Sequence, residues 1–311
     1  LQNLEVIRYS EGVMNKPTIA ALGELLWDVF PDGPRFGGAP GNFAHHAAAL
    51  GADVWMISGV GDDDLGRRAL KRLRSSSIDV TFVAVDPQRP TGSVAVSLDA
   101  AGHASYRFHE HEAWDHLVWS TELAELASRC EAVCFGTLGQ RSSQSRETIQ
   151  RFVAATDASA LRVFDINLRE PFFELTIVQQ SLELANVVKL NDDELAYLAR
   201  ELPLRAASAT DQARELCQRF NLRLVAVTRG KQGALVVGDE VCFEAASQPT
   251  EVVDSVGAGD SFTAALVMGM LRGLDLQTTM EVACRIAEFV CRQSGGTPEL
   301  PAPLVAKLSD I

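Results

Sequence analysis

From Thr18 onward, short apolar runs alternate with amphipathic stretches. TIAALGEL, VWMISGVG, AVCFGTL, LRVFDINL, NVVKLN and LRLVAVT are each rich in Val, Ile and Leu and are closed by Gly, Asp, Asn or another polar residue. That is the pattern of strands buried on both faces. Between them, residues 64–74 and 192–202 repeat their apolar positions at helical spacing. Strands alternating with helices predict an α/β fold, a three-layer, mostly parallel sheet flanked by helices. In such sheets the ligand crevice lies beyond the carboxyl ends of the strands. The polar residues that close the runs, Asp28, Asp165, Asn167, Asn191 and Thr228, are therefore the first to consider.

One region has a different period. TGSVAVSLDAAGHASYRFHEH alternates apolar and polar positions, with Val94, Val96 and Leu98 on one face and a turn at residues 99–102. A hairpin with one apolar face cannot bury that face alone. It is expected to form a small β lid, with strands from about 28–37 and 91–116, that covers a site or meets a second copy in a homodimer. The lid aside, residues 14–311 read as a single domain. Residues 1–13 precede Met14 without a clear pattern and are expected to be an upstream extension.

Composition narrows the partners. A formal charge of −13 argues against a nucleic-acid backbone, which needs clustered Lys and Arg. With 47% hydrophobic and 22% charged residues, the chain has globular composition and can support one large core. No apolar run is long enough to span a bilayer and the N-terminus lacks a signal-peptide pattern, so a soluble, cytoplasmic protein with small-molecule ligands is expected. The six cysteines form no CxxC pair, which suggests reduced, buried thiols, Cys130 and Cys134 included.

Two glycine clusters carry the candidate chemistry. DSVGAGDSF precedes a long apolar helical run, with Asp254 and Ser255 as candidate caps. The N–H groups of Gly257, Ala258, Gly259 and Asp260 would lie at the helix N-terminus without intrahelical acceptors. The stretch is either an anion cradle with a carboxylate in its first turn or a Gly-rich entry to a core helix. A dinucleotide fingerprint is disfavoured because Phe262 stands where the third glycine belongs, and a P-loop is excluded as written because Gly230-Lys231 is followed by Gln232. The second cluster, GGAPGN, also reads as a close backbone approach opening a helix. His109 and His111, two apart on an expected strand, offer an alternative, a metal-dependent hydrolase. Glu24 reads as a hydrogen-bonding group at a strand end, and Trp114 either stacks on a ligand or packs the hairpin.

Together, GGAPGNFA near the N-terminus and DSVGAGDSF near the C-terminus resemble the two signatures of the ribokinase-like (PfkB-type) carbohydrate kinases. GDDDLGRRALKRL, FDINLREPFF, KLNDDEL and VTRGKQGALV also look like that family's segments, so the resemblance spans most of the chain from 18 to 300. It implies an ATP-dependent kinase with Asp260 as base and the N–H groups of Gly257, Ala258, Gly259 and Asp260 as an anion hole. Asp28, Gly38 and Asn42 would bind sugar. Asn191 and Glu194 would organise Mg²⁺ through water. Thr228, Gly230 and Gly233 would bind the nucleotide, with Arg169 as a phosphate contact. A monovalent cation such as K⁺ near Asp254 and residues 291–297 is also implied. GELLWD, the proline of GGAP, FGTL and FDINLR look most like fructokinases, although HEHEAWDHL departs from the arginine-containing stretch of many of them. Other acceptors in the family are 2-keto-3-deoxygluconate, ribose and adenosine, and a non-catalytic sugar binder is a further alternative. Beside positive helix ends, Asp260 is expected to have a low pKa.

Overall fold

The first apolar run folds as two strands rather than one. β1 (Thr18–Leu22) stops before Gly23, whose φ of 137° suits glycine, and the chain resumes as β2 (Leu26–Phe30) in a second sheet. Asp28 therefore lies in the middle of β2, a correction to the strand end expected from GELLWD. The computed structural model describes residues 16–98, 104–238, 241–248 and 251–309. The expected turn at 99–102 and residues 1–13 lie outside the described residues.

After β2 come β3 (Gly33–Gly37), α1 (Ala39–Ala49), β4 (Asp53–Gly61), α2 (Asp64–Ser75), β5 (Ile78–Asp79), β6 (Val83–Asp86), β7 (Gly92–Leu98) and β8 (Ala104–Phe108). A 3-10 turn (Ala113–His116) leads to α3 (Thr121–Ala127) and β9 (Ala132–Gly136). Next are α4 (Ser143–Ala154), β10 (Leu161–Asp165), α5 (Leu175–Leu184), β11 (Val187–Asn191), α6 (Asp192–Glu201), α7 (Ala209–Phe220) and β12 (Leu224–Thr228). β13 (Ala234–Gly238), β14 (Cys242–Ala245), α8 (Ala258–Leu271), α9 (Leu276–Cys291) and α10 (Ala302–Ser309) complete the chain.

The main sheet has the order β14-β13-β12-β11-β10-β9-β1-β4-β5, with β6 also on β4. Its pairs are parallel except β12–β13 and β13–β14, which are antiparallel. The chain runs outward from β1 through β4 to β5, then returns to β9 on the other side, so the switch point of the sheet lies between β1 and β9. A ligand crevice is expected there, beyond the carboxyl ends of the strands. Apolar side chains cover both faces, with α1, α8 and α9 on one side and α3 to α7 on the other. Four cysteines are buried as expected, but Cys242 is exposed on the edge strand β14 and Cys291 is partly exposed.

The second sheet, β3-β2-β7-β8, is the lid. One face packs Trp27 and Phe36 edge to face at 5.4 Å, and Trp27 donates to the Leu65 carbonyl of α2. Leu26 and Val94 instead pack with Trp114, Leu138 and Phe172. Trp114 is fully buried and belongs to the 3-10 turn rather than to a lid strand. Its indole donates to Glu112, and the guanidinium of Arg141 lies 4.0 Å above its ring while pairing with Asp115 at 2.7 Å and Glu112 at 3.3 Å. The lid is thus fastened to the core on both faces.

Candidate functional site

Two glycine helix beginnings mark this site. α2, α3, α4, α6, α7 and α9 start on Asp63, Ser120, Ser142, Asn191, Ser208 and Asp275, each accepting from a first-turn N–H. α1 and α8 start on glycines, Gly38 at φ 98° and Gly257 at φ 76°, with no side-chain cap. Asp254 and Ser255, the expected caps, lie one turn upstream. Asp254 accepts from Val256 N–H at 3.0 Å and Gly295 N–H at 3.0 Å, which staples two loops together. Gly257 is required because a Cβ there would collide with the Gly296 backbone. The Ala258 N–H reaches the Ser255 carbonyl at 3.4 Å, whereas those of Gly257, Gly259 and Asp260 meet no acceptor among the described residues. Three N–H groups at the positive end of a long helix are left for a ligand.

The two glycine starts meet. Asn42 of α1 donates from Nδ2 to Asp260 Oδ2 at 2.9 Å, although the two residues are 218 apart in sequence. Asn42 is 2% exposed, so its amide serves the aspartate directly. Asp260 does not have the low pKa expected of it. Burial pushes it up to about 6, the Asp165 charge adds to this, and Lys189, the Asn42 bond and Arg169 oppose it. The helix end favours the anion, but enclosure beside a second carboxylate outweighs it.

Lys189 was not anticipated. It interrupts the apolar run NVVKLN, which could have flagged it, since a lysine in a buried strand needs a partner. Its Nζ meets Asp165 Oδ1 at 3.1 Å, and Thr263 donates to Asp165 Oδ2 at 2.9 Å. Burial pulls the ammonium down, but Asp165, Glu194 and Asp260 hold it above its ordinary value. A Cβ on Gly259 would come within 2.7 Å of Nζ, so the lysine lies against the helix entry.

Asp165, Asn191 and Thr228 close β10, β11 and β12 side by side, as the sheet rule predicts. Asn191 and Glu194 form a reciprocal cap on α6, with bonds of 2.8 Å each way, and Glu194 Oε1 also accepts from Leu168 N–H at 2.9 Å. Each acceptor oxygen keeps lone pairs for water, while among the described residues no group of three or more His, Cys, Asp or Glu could hold a metal. The donor set therefore fits a water-mediated ion and not a direct protein cage.

Gly230 (φ 52°) and Gly233 (φ 85°) shape the turn after Thr228. The Ala245 carbonyl packs onto Gly233 where a Cβ would stand, so Gly233→Ala must push β14 from the turn. If the turn binds nucleotide, the expected result is an ATP KM raised about tenfold, with acceptor KM within about twofold, measured by initial rates. Asp28 faces Gly37, whose Cβ position is 2.7 Å from its Oδ2. Burial raises Asp28 to about 6, with Arg169 opposing and Asp254 adding. The charge of the exposed Arg169 thus opposes the upward shift of both Asp28 and Asp260.

The paired histidines lie past the end of β8 and not on a strand. β8 ends at Phe108, and His111 is exposed in a left-handed turn conformation at φ 60°, so the HxH strand expected there is absent. A cavity of about 490 Å³ between β14 and α9, lined by Phe243, Gln277, Met280 and Cys284 among others, contains none of the expected site residues.

Comparison with known proteins finds similarity over most of the chain. The family model described as "pfkB family carbohydrate kinase" matches residues 20–303. A fructokinase of Salmonella typhimurium is 30% identical over 262 residues, covering 80% of this chain and 83% of the relative. A fructokinase of Klebsiella pneumoniae is 31% identical over 265 residues, covering 81% and 84%. The crystal structure of an "uncharacterized sugar kinase" from Pyrococcus horikoshii in complex with ATP is 26% identical and superposes with a TM-score of 0.78, over 93% of this chain and 99% of that one.

Proposed function

Because the chain belongs to the pfkB family of carbohydrate kinases and is an ATP-dependent sugar kinase, we propose that it transfers the γ-phosphoryl group of ATP to the 6-hydroxyl of fructose. The observation that carries the reading is the 2.9 Å bond from Asn42 to Asp260, which unites the GGAPGN loop with a carboxylate at an uncapped helix N-terminus.

In this reading Asp260 accepts the hydroxyl proton. The free N–H groups of Gly257, Gly259 and Asp260 face the phosphoryl oxygens, with Ala258 completing the turn. Lys189 adds fixed positive charge beside Gly259. Phosphoryl transfer is loose, so the enzyme chiefly aligns donor and acceptor and neutralises charge. Asp28 accepts from sugar hydroxyls, the Gly38 backbone lets the sugar approach, and Arg169 contacts phosphate. Thr228, Gly230 and Gly233 bind the nucleotide. Asn191 and Glu194 hold Mg²⁺ through water, and the bound ion supplies neutralising charge at the phosphates of ATP. The net charge of −13 makes such local cations necessary.

Fructose is favoured over other acceptors by the two fructokinase relatives at 30% and 31% identity. A non-catalytic sugar binder would have no use for a raised base beside unfilled N–H groups. A coupled ADP-release assay with Mg²⁺, with and without K⁺, over fructose, ribose, 2-keto-3-deoxygluconate and adenosine tests the assignment. The expected result is the highest kcat/KM with fructose. A higher value for any other acceptor overturns fructose but leaves the kinase class standing.

A further inference from the structure

The chain passes between core and lid at residues 23–25 and again at 37–38, where β1 gives way to β2 and β3 gives way to α1. These passages lie against each other: a Cβ on Gly38 would be 2.6 Å from the Glu24 carbonyl oxygen. Glu24 also joins them through its side chain, because Oε1 accepts from the Ala39 N–H at 3.3 Å. Ala39 opens α1, whose Gly38 cap offers no side chain, so Glu24 stands in for the missing cap from another segment. It is 3% exposed, and its other oxygen has no hydrogen-bond partner among the described residues and rests near Gly139, 3.4 Å from that residue's Cβ position.

We propose that Glu24 is a positioning residue, one that holds residues 37–42, the end of β3 and the first turn of α1, against the core and so sets the place of Asn42 and, through it, of Asp260. Its kinetic consequences rest on the kinase reading, whereas its structural consequence does not. The charged groups facing it are Asp260 from α8 and Arg169 from the loop after β10, with the Cys134 thiol of β9 beneath. Burial pushes Glu24 up to about 7, its hydrogen bonds to backbone N–H groups oppose this, and the charge on Asp260 adds to it. A carboxyl whose folded pKa is raised favours this arrangement below its unfolded value and loses that contribution as pH rises through about 7.

Hydrogen–deuterium exchange of the full chain, read on peptides covering 37–43, tests this without any substrate. Glu24→Ala is expected to speed exchange there about tenfold, the loss of one buried hydrogen bond, with the core of α8 unchanged. Glu24→Gln, whose amide oxygen can still accept from Ala39, is expected to keep the wild-type protection at pH 6. After correction for intrinsic rates, wild-type protection should fall between pH 6 and 8 and that of Glu24→Gln should not. With fructose, Glu24→Ala should raise acceptor KM about tenfold while ATP KM stays within about twofold, and Glu24→Gln should restore it. Unchanged exchange in Glu24→Ala, or a Glu24→Gln variant as loose as Glu24→Ala, overturns the proposal. If Glu24→Ala does not fold, the pH comparison of Glu24→Gln with wild type decides, and a flat wild-type profile refutes it.

Discussion

Asp260→Asn is expected to lower kcat about 10³-fold, within the range for removal of a general base, while ATP KM stays within about threefold. The amide keeps the shape and can still meet Asn42 at the end of α8, but it cannot take a proton. Wild-type kcat should fall on the acid side through about pH 6, because the base must be ionised and burial has raised it. If Asp28 binds the sugar as a carboxylate, the acid limb of kcat/KM for the acceptor should be steeper, since burial also raises Asp28 to about 6. Stability should move the opposite way. A raised folded pKa contributes stability below the unfolded value of 3.8 and loses it as pH rises through about 6. At pH 8 the Asn variant should therefore melt no lower than wild type, and a thermal scan beside the rate assay checks both halves. An Asp260→Asn enzyme that turns over normally would remove the base from the mechanism.

Lys189→Met is expected to have the largest effect on stability. Lys189 and Asp165 pair at 3.1 Å with side chains 9% and 7% exposed, and Asp260 and Glu194 act on the same ammonium. Removing it leaves buried carboxylates without their cation, a loss of about 3–5 kcal/mol when one partner of such a pair is deleted. At about 2–4 °C per kcal/mol for a large domain, Tm should drop by roughly 10 °C. Lys189→Met with Asp165→Asn should recover most of that loss, because the uncompensated charge goes with the cation. Turnover should stay depressed in the double variant, since positive charge beside Gly259 is still missing. Calorimetry of the single and double variants separates the two roles.

Much of the architecture was legible because buried parallel strands announce themselves as short apolar runs and their polar last residues mark the crevice. Asp165, Asn191 and Thr228 were located that way, and the glycine clusters pointed to two helix starts that proved to face each other. What misled was local reasoning about groups whose state is set by distant segments. TIAALGELLWD has no signal for a change of sheet apart from Gly23, so Asp28 was placed on the wrong element. The low pKa expected for Asp260 considered only its own helix, whereas Asp165 from another strand and the enclosing core reverse it. The HxH pair assumed that strand period continues past Phe108, where the backbone turns instead. Lys189 escaped notice for the same reason, whereas Glu24 does act as the hydrogen-bonding group expected at a strand end. Each matters through a partner far away in sequence, Asp165 for the first and Ala39 with Asp260 nearby for the second.

The seam between α1 and α8 has a consequence for how the molecule is made. Asn42 bonds Asp260, and His46 on the same helix bonds the Gly296 carbonyl at 2.9 Å. A nascent chain leaving the ribosome can assemble much of its sheet before residue 260 has been synthesised, yet its GGAPGN segment then has no carboxylate to meet. Translation products that stop short of that point would carry half a pocket and no chemistry. Two separately expressed fragments divided ahead of α8 would regain turnover only by finding each other.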